Sequence, residues 1–131
     1  MGLFSYYVVQ YSKHMRVSFM SRVKNIGIDG VETPAKSCED SQCPFHGSLP
    51  VRGRILEGVV VSGKMNRAVV VRRDFLHLVK KYNRYERRNG LITARLPDCI
   101  EAKEGDFVKA IECRPLAKSI SFVVVQKSET K

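Results

Sequence analysis

Residues 53–95 read GRILEGVVVSGKMNRAVVVRRDFLHLVKKYNRYERRNGLITAR, and this stretch decides the fold. It opens with two runs rich in β-branched residues, Ile55–Val61 and Ala68–Val71. The polar, glycine-containing segment Gly63–Asn66 separates them, which predicts a β-hairpin whose loop is longer than the two-residue ideal. The second strand of this hairpin is expected to run from about Arg67 to Leu78.

The second half of the stretch is strongly basic. Residues 64–95 contain ten Lys or Arg and two Asp or Glu, a net charge of +8, whereas the whole chain carries +10. The rest of the chain is therefore close to neutral. Charge placed so unevenly favours a polyanionic partner, nucleic acid before an anionic membrane surface. The competing interpretation is a solvated basic face with no partner.

Three more strands are predicted downstream. The third is expected around Ile92–Leu96 after a basic turn at Lys80–Arg84, the fourth at Asp106–Cys113 and the fifth at Ser119–Gln126. Gly58 predicts a β-bulge or sharp coil that lets the first strand bend and serve two sides of a barrel. Five short strands with almost no helix predict an all-β fold, a five-stranded OB-type Greek-key barrel. A small SH3-like barrel is the alternative.

The barrel is expected to span residues 51–127, followed by a C-terminal tail at 128–131. Residues 1–50 are expected to form an irregular N-terminal extension, because 24–50 are rich in Gly, Pro, Ser and Asp, which favour turns over strand pairing. Such an arm stays ordered only against its own domain or an RNA surface. No apolar run reaches the ~18 residues of a membrane span, and residues 1–22 lack the pattern of a secretory signal. A cytosolic location is therefore expected.

The four cysteines, Cys38, Cys43, Cys99 and Cys113, show no Cys-x-x-Cys spacing. Zinc could bind at Cys38, Cys43 and His46 with a distant cysteine as the fourth ligand, because thiolate and imidazole are its usual ligands. Reduced cytosolic cysteines are, however, commonly plain buried side chains. The sequence therefore predicts no metal site and no other cofactor.

The chain lacks the motifs of catalysis. It has three histidines, no Gly-x-Ser-x-Gly sequence and no glycine loop of the kind that cradles phosphates. His46 and His77 are isolated and are expected to pack or to form hydrogen bonds. We therefore expect neither enzymatic activity nor a small-molecule substrate.

Several motifs resemble one known family. They are Arg52–Val60, Lys64–Asp74, Lys80–Arg88 and Gly105–Leu116 in the predicted barrel, with Lys24–Gly27 and Cys43–Gly47 upstream. Together they resemble the universal small-subunit ribosomal protein family, numbered seventeen in bacterial naming and eleven in eukaryotic naming. The two upstream motifs are similar to the arm of its eukaryotic members. Ala117 stands where the family signature usually has Ser, and residues 1–22 do not match the usual N-terminus.

The resemblance implies an OB barrel bound to the 5′ domain of small-subunit rRNA, a structural constituent without catalytic activity. It implies neighbouring small-subunit ribosomal proteins as further partners, and a place in the cytosolic ribosome with a nucleolar stage during assembly. Two alternatives stay open on the residues: a free OB-fold translation or RNA-processing factor, and a peripheral membrane protein.

The residues expected to contact rRNA lie on or beside the predicted hairpin and in the loops that flank it. They are Arg52, Arg54, Lys64, Asn66, Arg67, Arg72, Arg73, Lys80, Lys81, Tyr82, Arg84, Arg87, Arg88, Arg114 and Lys118. The cations are expected to bind phosphates, and Tyr82 either to stack on a base or to pack half-buried with its hydroxyl on a backbone group. The competing interpretations are a solvated sheet edge for the hairpin cations and a salt bridge to Glu112 for Arg114. Tyr85 is expected to pack in the barrel wall.

Overall fold

The computed structural model describes residues 23–128. In chain order its strands are β1 (Val51–Ser62), β2 (Ala68–Val79), β3 (Arg84–Arg95), β4 (Phe107–Cys113) and β5 (Ile120–Ser128). They form a closed barrel in the order β1-β2-β3-β5-β4, with β4 pairing back onto β1. The β3–β5 pair is parallel and the other four pairs are antiparallel. This is the predicted OB-type barrel. Over this part of the chain no helix has the length and apolar character to cross a bilayer.

The third strand is much longer than the sequence indicated. β3 begins at Arg84, which the sequence placed in a turn, and it pairs with β2 without interruption from Ala68 opposite Arg95 to Val79 opposite Arg84. Residues 73–90 pair with no third strand among the described elements, so they extend from the barrel as a two-stranded ribbon. We call this segment the ribbon. Neither of its faces is covered, so its sequence lacks the alternation that marks a half-buried strand.

The first strand serves two sides of the barrel, as predicted, but not through a bulge at Gly58. Gly58 lies opposite Val108 in regular pairing with β4, and the irregularity in the β1–β2 pairing falls between Val60 and Ser62. A Cβ atom added at Gly58 would lie 2.4 Å from the carbonyl oxygen of Arg72. The predicted bulge at Gly58 is therefore wrong, and the glycine instead allows the β2 backbone to pass close by.

The core joins the barrel to the arm at residues 24–50. The largest fully buried barrel side chains are Val60, Val69, Val108, Ile111, Val123, Val124 and Val125. Cys43, Phe45 and Leu49 of the arm are buried in the same cluster. The arm thus lies against its own domain, the first of the two supports that the sequence suggested. β5 ends at Ser128, one residue past the expected barrel end, and the division into arm, barrel and tail stays a prediction.

Polar contacts also fasten the arm. The Lys24 backbone N–H donates to the Phe45 carbonyl oxygen at 2.9 Å, and its ammonium donates to the Gly47 carbonyl oxygen at 2.8 Å. The buried Asp40 carboxylate accepts a hydrogen bond from Arg95 of β3 at 2.8 Å. Burial alone would raise the pKa of Asp40, but the hydrogen bonds from Arg95 and from a backbone N–H hold that pKa below its ordinary value.

Candidate nucleic-acid interface

The ribbon carries the densest group of cations on the described surface. Its exposed cationic side chains are Arg73, Lys80, Lys81, Arg84, Arg87 and Arg88. At the tip, Asn83 adopts φ 50° and the Tyr82 N–H donates to the Val79 carbonyl oxygen at 3.2 Å, so the chain reverses in a tight turn. Because asparagine tolerates this left-handed conformation, the sequence closes the ribbon without a glycine there.

Most of the ribbon cations are free to bind an external anion. Within residues 23–128, five of them form no ion pair: Arg73, Lys80, Lys81, Arg84 and Arg87. Arg88 pairs with Glu86, whose carboxylate also lies 3.1 Å from His77 Nδ1. The hydrogen-bonding role expected for His77 is thus consistent with its position. At the base of the ribbon, Arg72 pairs with Asp74 at 2.9 Å.

The structure brings a second group of predicted residues to the barrel end from which the ribbon projects. Arg52 and Arg54 lie near the start of β1, and β1 begins opposite the last residue of β4. Arg114 and Lys118 lie in the β4–β5 loop, just before the point where β5 meets β3. All four are exposed. Together with the ribbon they form a cationic surface around one end of the barrel.

The sequence suggested Arg114 as a partner of Glu112, but Glu112 pairs with Arg54 instead. Its carboxylate oxygen lies 3.5 Å from Nε of Arg54. Arg114 forms no ion pair with any residue in the described range. The alternative of an Arg114–Glu112 salt bridge is therefore wrong, and the Arg114 guanidinium faces solvent.

The remaining predicted residues lie at the opposite end of the barrel. Lys64, Asn66 and Arg67 occupy the β1–β2 loop, where the start of β2 pairs with the last residue of β3. All three are exposed, and Arg67 pairs with Asp98 at 3.3 Å. The structure thus divides the predicted site into a large group at the ribbon end and a small group at the loop end.

One face of the ribbon presents apolar side chains that the sequence analysis missed. The pairing puts Leu78 opposite Tyr85 and Leu76 opposite Arg87 on the same face, and this face continues to Leu91. Leu76, Tyr85 and Leu91 are 63%, 69% and 66% exposed. The expectation that Tyr85 packs in the barrel wall is therefore wrong. The local sequence around these residues does not differ from that of core residues. They are exposed only because no further strand of the described structure covers this face.

Fold and surface together define a class of protein. It is a small OB-type barrel that presents a cationic, two-stranded ribbon, as expected for proteins that bind the phosphate backbone of nucleic acid. The family model described as "Ribosomal protein S17" matches residues 58–126. The chain belongs to this family, which confirms the resemblance seen in its motifs.

Relatives from three organisms extend the match into the arm. The chain is 56% identical to a protein of Methanoregula boonei over 103 residues, which is 79% of this chain and 94% of that protein. It is 54% identical to one of Sulfurisphaera tokodaii over 105 residues, 80% of this chain and 93% of the relative. For Methanopyrus kandleri the identity is 53% over 106 residues, 81% and 89% of the two chains. Each relative is named "Small ribosomal subunit protein uS17".

Proposed function

We propose that this protein is a structural constituent of the small ribosomal subunit that binds and stabilises folded rRNA of the 5′ domain. The observation that carries the proposal is a group of five cations that form no ion pair within residues 23–128, on a ribbon that projects from a barrel of this family. Such a group is suited to neutralising phosphates, and neutralisation with release of counterions supplies much of the affinity of RNA-binding proteins. The protein acts in this role without catalysis.

The shape of the ribbon supports binding to folded RNA. Residues 73–79 form six strand steps, and at about 3.3 Å per step the ribbon reaches roughly 20 Å beyond the barrel. An A-form RNA helix displays phosphates and 2′-hydroxyls along a wide, shallow minor groove that proteins recognise mainly by shape. A narrow ribbon with exposed cations on both strands fits against such a helix and contacts its phosphate backbone.

The ribbon-end group and the loop-end group are then proposed to bind different rRNA segments. The ribbon-end group is proposed to bind the main rRNA segment, with Tyr82 stacking on a base at the tip. The loop-end group, Lys64, Asn66 and Arg67, is proposed to bind a second rRNA segment across the barrel. Contacts at both ends of a rigid barrel would hold the two segments at a constant distance, which is a structural function in assembly.

The apolar face of the ribbon supports a further partner in the same assembly. Exposed leucine and tyrosine side chains on a free surface favour association, because covering them removes apolar area from water. We propose that a neighbouring small-subunit ribosomal protein covers this face. The corresponding location is the cytosolic ribosome, with nucleolar assembly in a cell that has a nucleolus.

The proposal is tested by the salt dependence of binding to a 5′-domain rRNA fragment. The variant Lys80→Ala, Lys81→Ala, Arg87→Ala removes three unpaired cations from the outer ribbon, away from the core. The slope of log affinity against log salt concentration is expected to become shallower by roughly 2–3, since each neutralised phosphate contributes about 0.7–0.9. Binding is measured by filter retention or fluorescence anisotropy over a salt series.

The matched control is Lys36→Ala, Lys103→Ala, Lys127→Ala, which removes the same charge from the surface around the β3–β4 connection. It is expected to leave the slope at its wild-type value, and equal slopes in the two triple variants would contradict the proposed surface.

A high-salt wash of small subunits distinguishes the proposed ribosomal constituent from a free RNA-binding factor. A constituent stays at one copy per subunit, whereas a factor is released.

A further inference from the structure

Four potential metal ligands converge between the arm and the barrel. Cys38, Cys43 and His46 lie on the arm, and Cys99 lies in the connection that follows β3. One ligand atom from each residue lies within 4.8 Å of each of the others. Cys43 and Cys99 are buried, and Cys38 and His46 are partly buried. Cys99 is thus the distant fourth residue that the sequence alone could not identify.

Three of the six ligand-atom distances in this cluster are close to those between ligands of one tetrahedral ion. His46 Nδ1 lies 3.4 Å from Cys38 Sγ and 3.5 Å from Cys43 Sγ, and Cys43 Sγ lies 3.5 Å from Cys99 Sγ. Zinc bonds of about 2.3 Å to sulfur and about 2.05 Å to nitrogen put tetrahedral ligands about 3.5–3.8 Å apart. The same separation is too long for a disulfide, in which the sulfurs are about 2.05 Å apart.

The arm holds three of the ligands in a tight loop. The Cys43 N–H donates to the Asp40 carbonyl oxygen at 3.2 Å, and the Gly47 N–H donates to the Cys43 carbonyl oxygen at 2.9 Å. A Cβ atom at Gly47 would lie 2.4 Å from the Ser41 carbonyl oxygen, so the loop closes only with glycine there. These contacts orient the ligands without any help from a bound ion.

The cluster is largely shielded from water, and the imidazole of His46 is directed into it. The Nδ1 atom of His46 faces the sulfurs, while its Nε2 atom is buried without a hydrogen-bond partner in the described part of the chain.

We propose that Cys38, Cys43, His46 and Cys99 bind one structural zinc ion. A set of three thiolates and one imidazole is a usual zinc ligand set, and four protein ligands leave no open position for substrate. On binding, the three thiols each release a proton and the neutral imidazole coordinates through Nδ1. Because three ligands belong to the arm and one to the barrel, the ion crosslinks residues 38–46 to the β3–β4 connection. This site lies apart from the ribbon.

The first test is the zinc content of the full chain, purified without chelators and measured by inductively coupled plasma mass spectrometry. One zinc per chain is expected for the wild type and for the control Cys113→Ser, because Cys113 ends β4 and lies outside the cluster. Cys38→Ser and His46→Ala are expected to lose the bound zinc. Both residues are only partly buried, so these variants test the ligands with less damage to the core than a change at Cys43 or Cys99.

The second test replaces zinc by cobalt, whose absorption reports the ligand geometry. The wild type and Cys113→Ser are expected to show the intense visible bands of tetrahedral cobalt and a thiolate-to-cobalt charge-transfer band, and Cys38→Ser to lose intensity in the latter. A chelator is expected to lower the melting temperature of the wild type and to leave that of Cys38→Ser unchanged. A wild-type chain that binds no zinc, full zinc content in both ligand variants, or a Cys43–Cys99 disulfide found by thiol titration would overturn the proposal.

Discussion

At the scale of single residues, the barrel depends on one position where two backbones nearly touch. Gly58 lies on β1 directly beneath the carbonyl oxygen of Arg72, and the side chain of Val71 would be 2.7 Å from a Cβ atom added there. The constraint is steric, because Gly58 does not have a positive φ. Any side chain must therefore displace β2, and with it the start of the ribbon.

This close approach predicts that Gly58→Ala destabilises the protein. The added methyl group would meet a backbone atom that cannot rotate away, and overpacking of this kind costs about 1–3 kcal/mol. The free energy of unfolding, measured by denaturant titration of the full chain, should fall by that amount. Gly63→Ala is the matched control, since its Cβ would have no neighbour within 4 Å. Equal stabilities of the two variants would count against the close approach.

At the scale of elements, the ribbon is a strand pair without a core of its own. Its stability comes from the continuous β2–β3 pairing and, within β2, from a cation–π contact between Arg73 and the Phe75 ring at 5.7 Å. A pair of strands alone is marginally stable in water, so the barrel at one end must anchor the ribbon. Its exposed side chains are thereby available to a partner.

The tip of the ribbon carries the sharpest prediction at this scale. Tyr82 is 65% exposed, and the Lys81 ammonium lies 5.3 Å from the centre of its ring. If the ring stacks on a base, Tyr82→Ala should weaken binding to the rRNA fragment by about 1–3 kcal/mol, while Tyr82→Phe should bind as the wild type does. Neither change should alter the melting temperature of the free protein. Wild-type affinity of Tyr82→Ala would remove stacking from the proposed interface.

At the scale of the whole molecule, ion pairs connect segments that are distant in sequence. Glu101 in the β3–β4 connection pairs with Lys36 of the arm, and Asp106 pairs with Lys127 of β5 at 2.8 Å. Hydrogen bonds from these lysines are the largest cause that lowers the pKa of each carboxyl group. The connection after β3 therefore links the arm and the last strand electrostatically as well as through the core.

These lowered pKa values predict that the protein loses stability in acid. The ordinary pKa values are 4.5 for Glu101 and 3.8 for Asp106, and the folded chain holds both groups ionised to lower pH. Their contribution to stability is therefore complete above the ordinary values and disappears as the pH falls through the lowered ones. Melting temperatures of Glu101→Gln, Asp106→Asn and the wild type should differ at pH 7, and the difference should shrink as the pH falls below the ordinary pKa values of the two groups. A constant difference over this range would contradict the assignment.

The number of strands, the OB-type barrel and the position of the cations could be determined from the sequence, because runs of β-branched residues, turns and charges are local properties. The tertiary structure alone decided that β2 and β3 leave the barrel as a ribbon and expose Tyr85 and Leu76. It also showed that position 58 requires glycine because the β2 backbone passes close by. It placed Cys99 beside Cys43, although the two cysteines are 56 residues apart along the chain. These features depend on which segments meet in space. The pairing of distant strands determines those contacts, whereas the neighbouring residues along the chain do not.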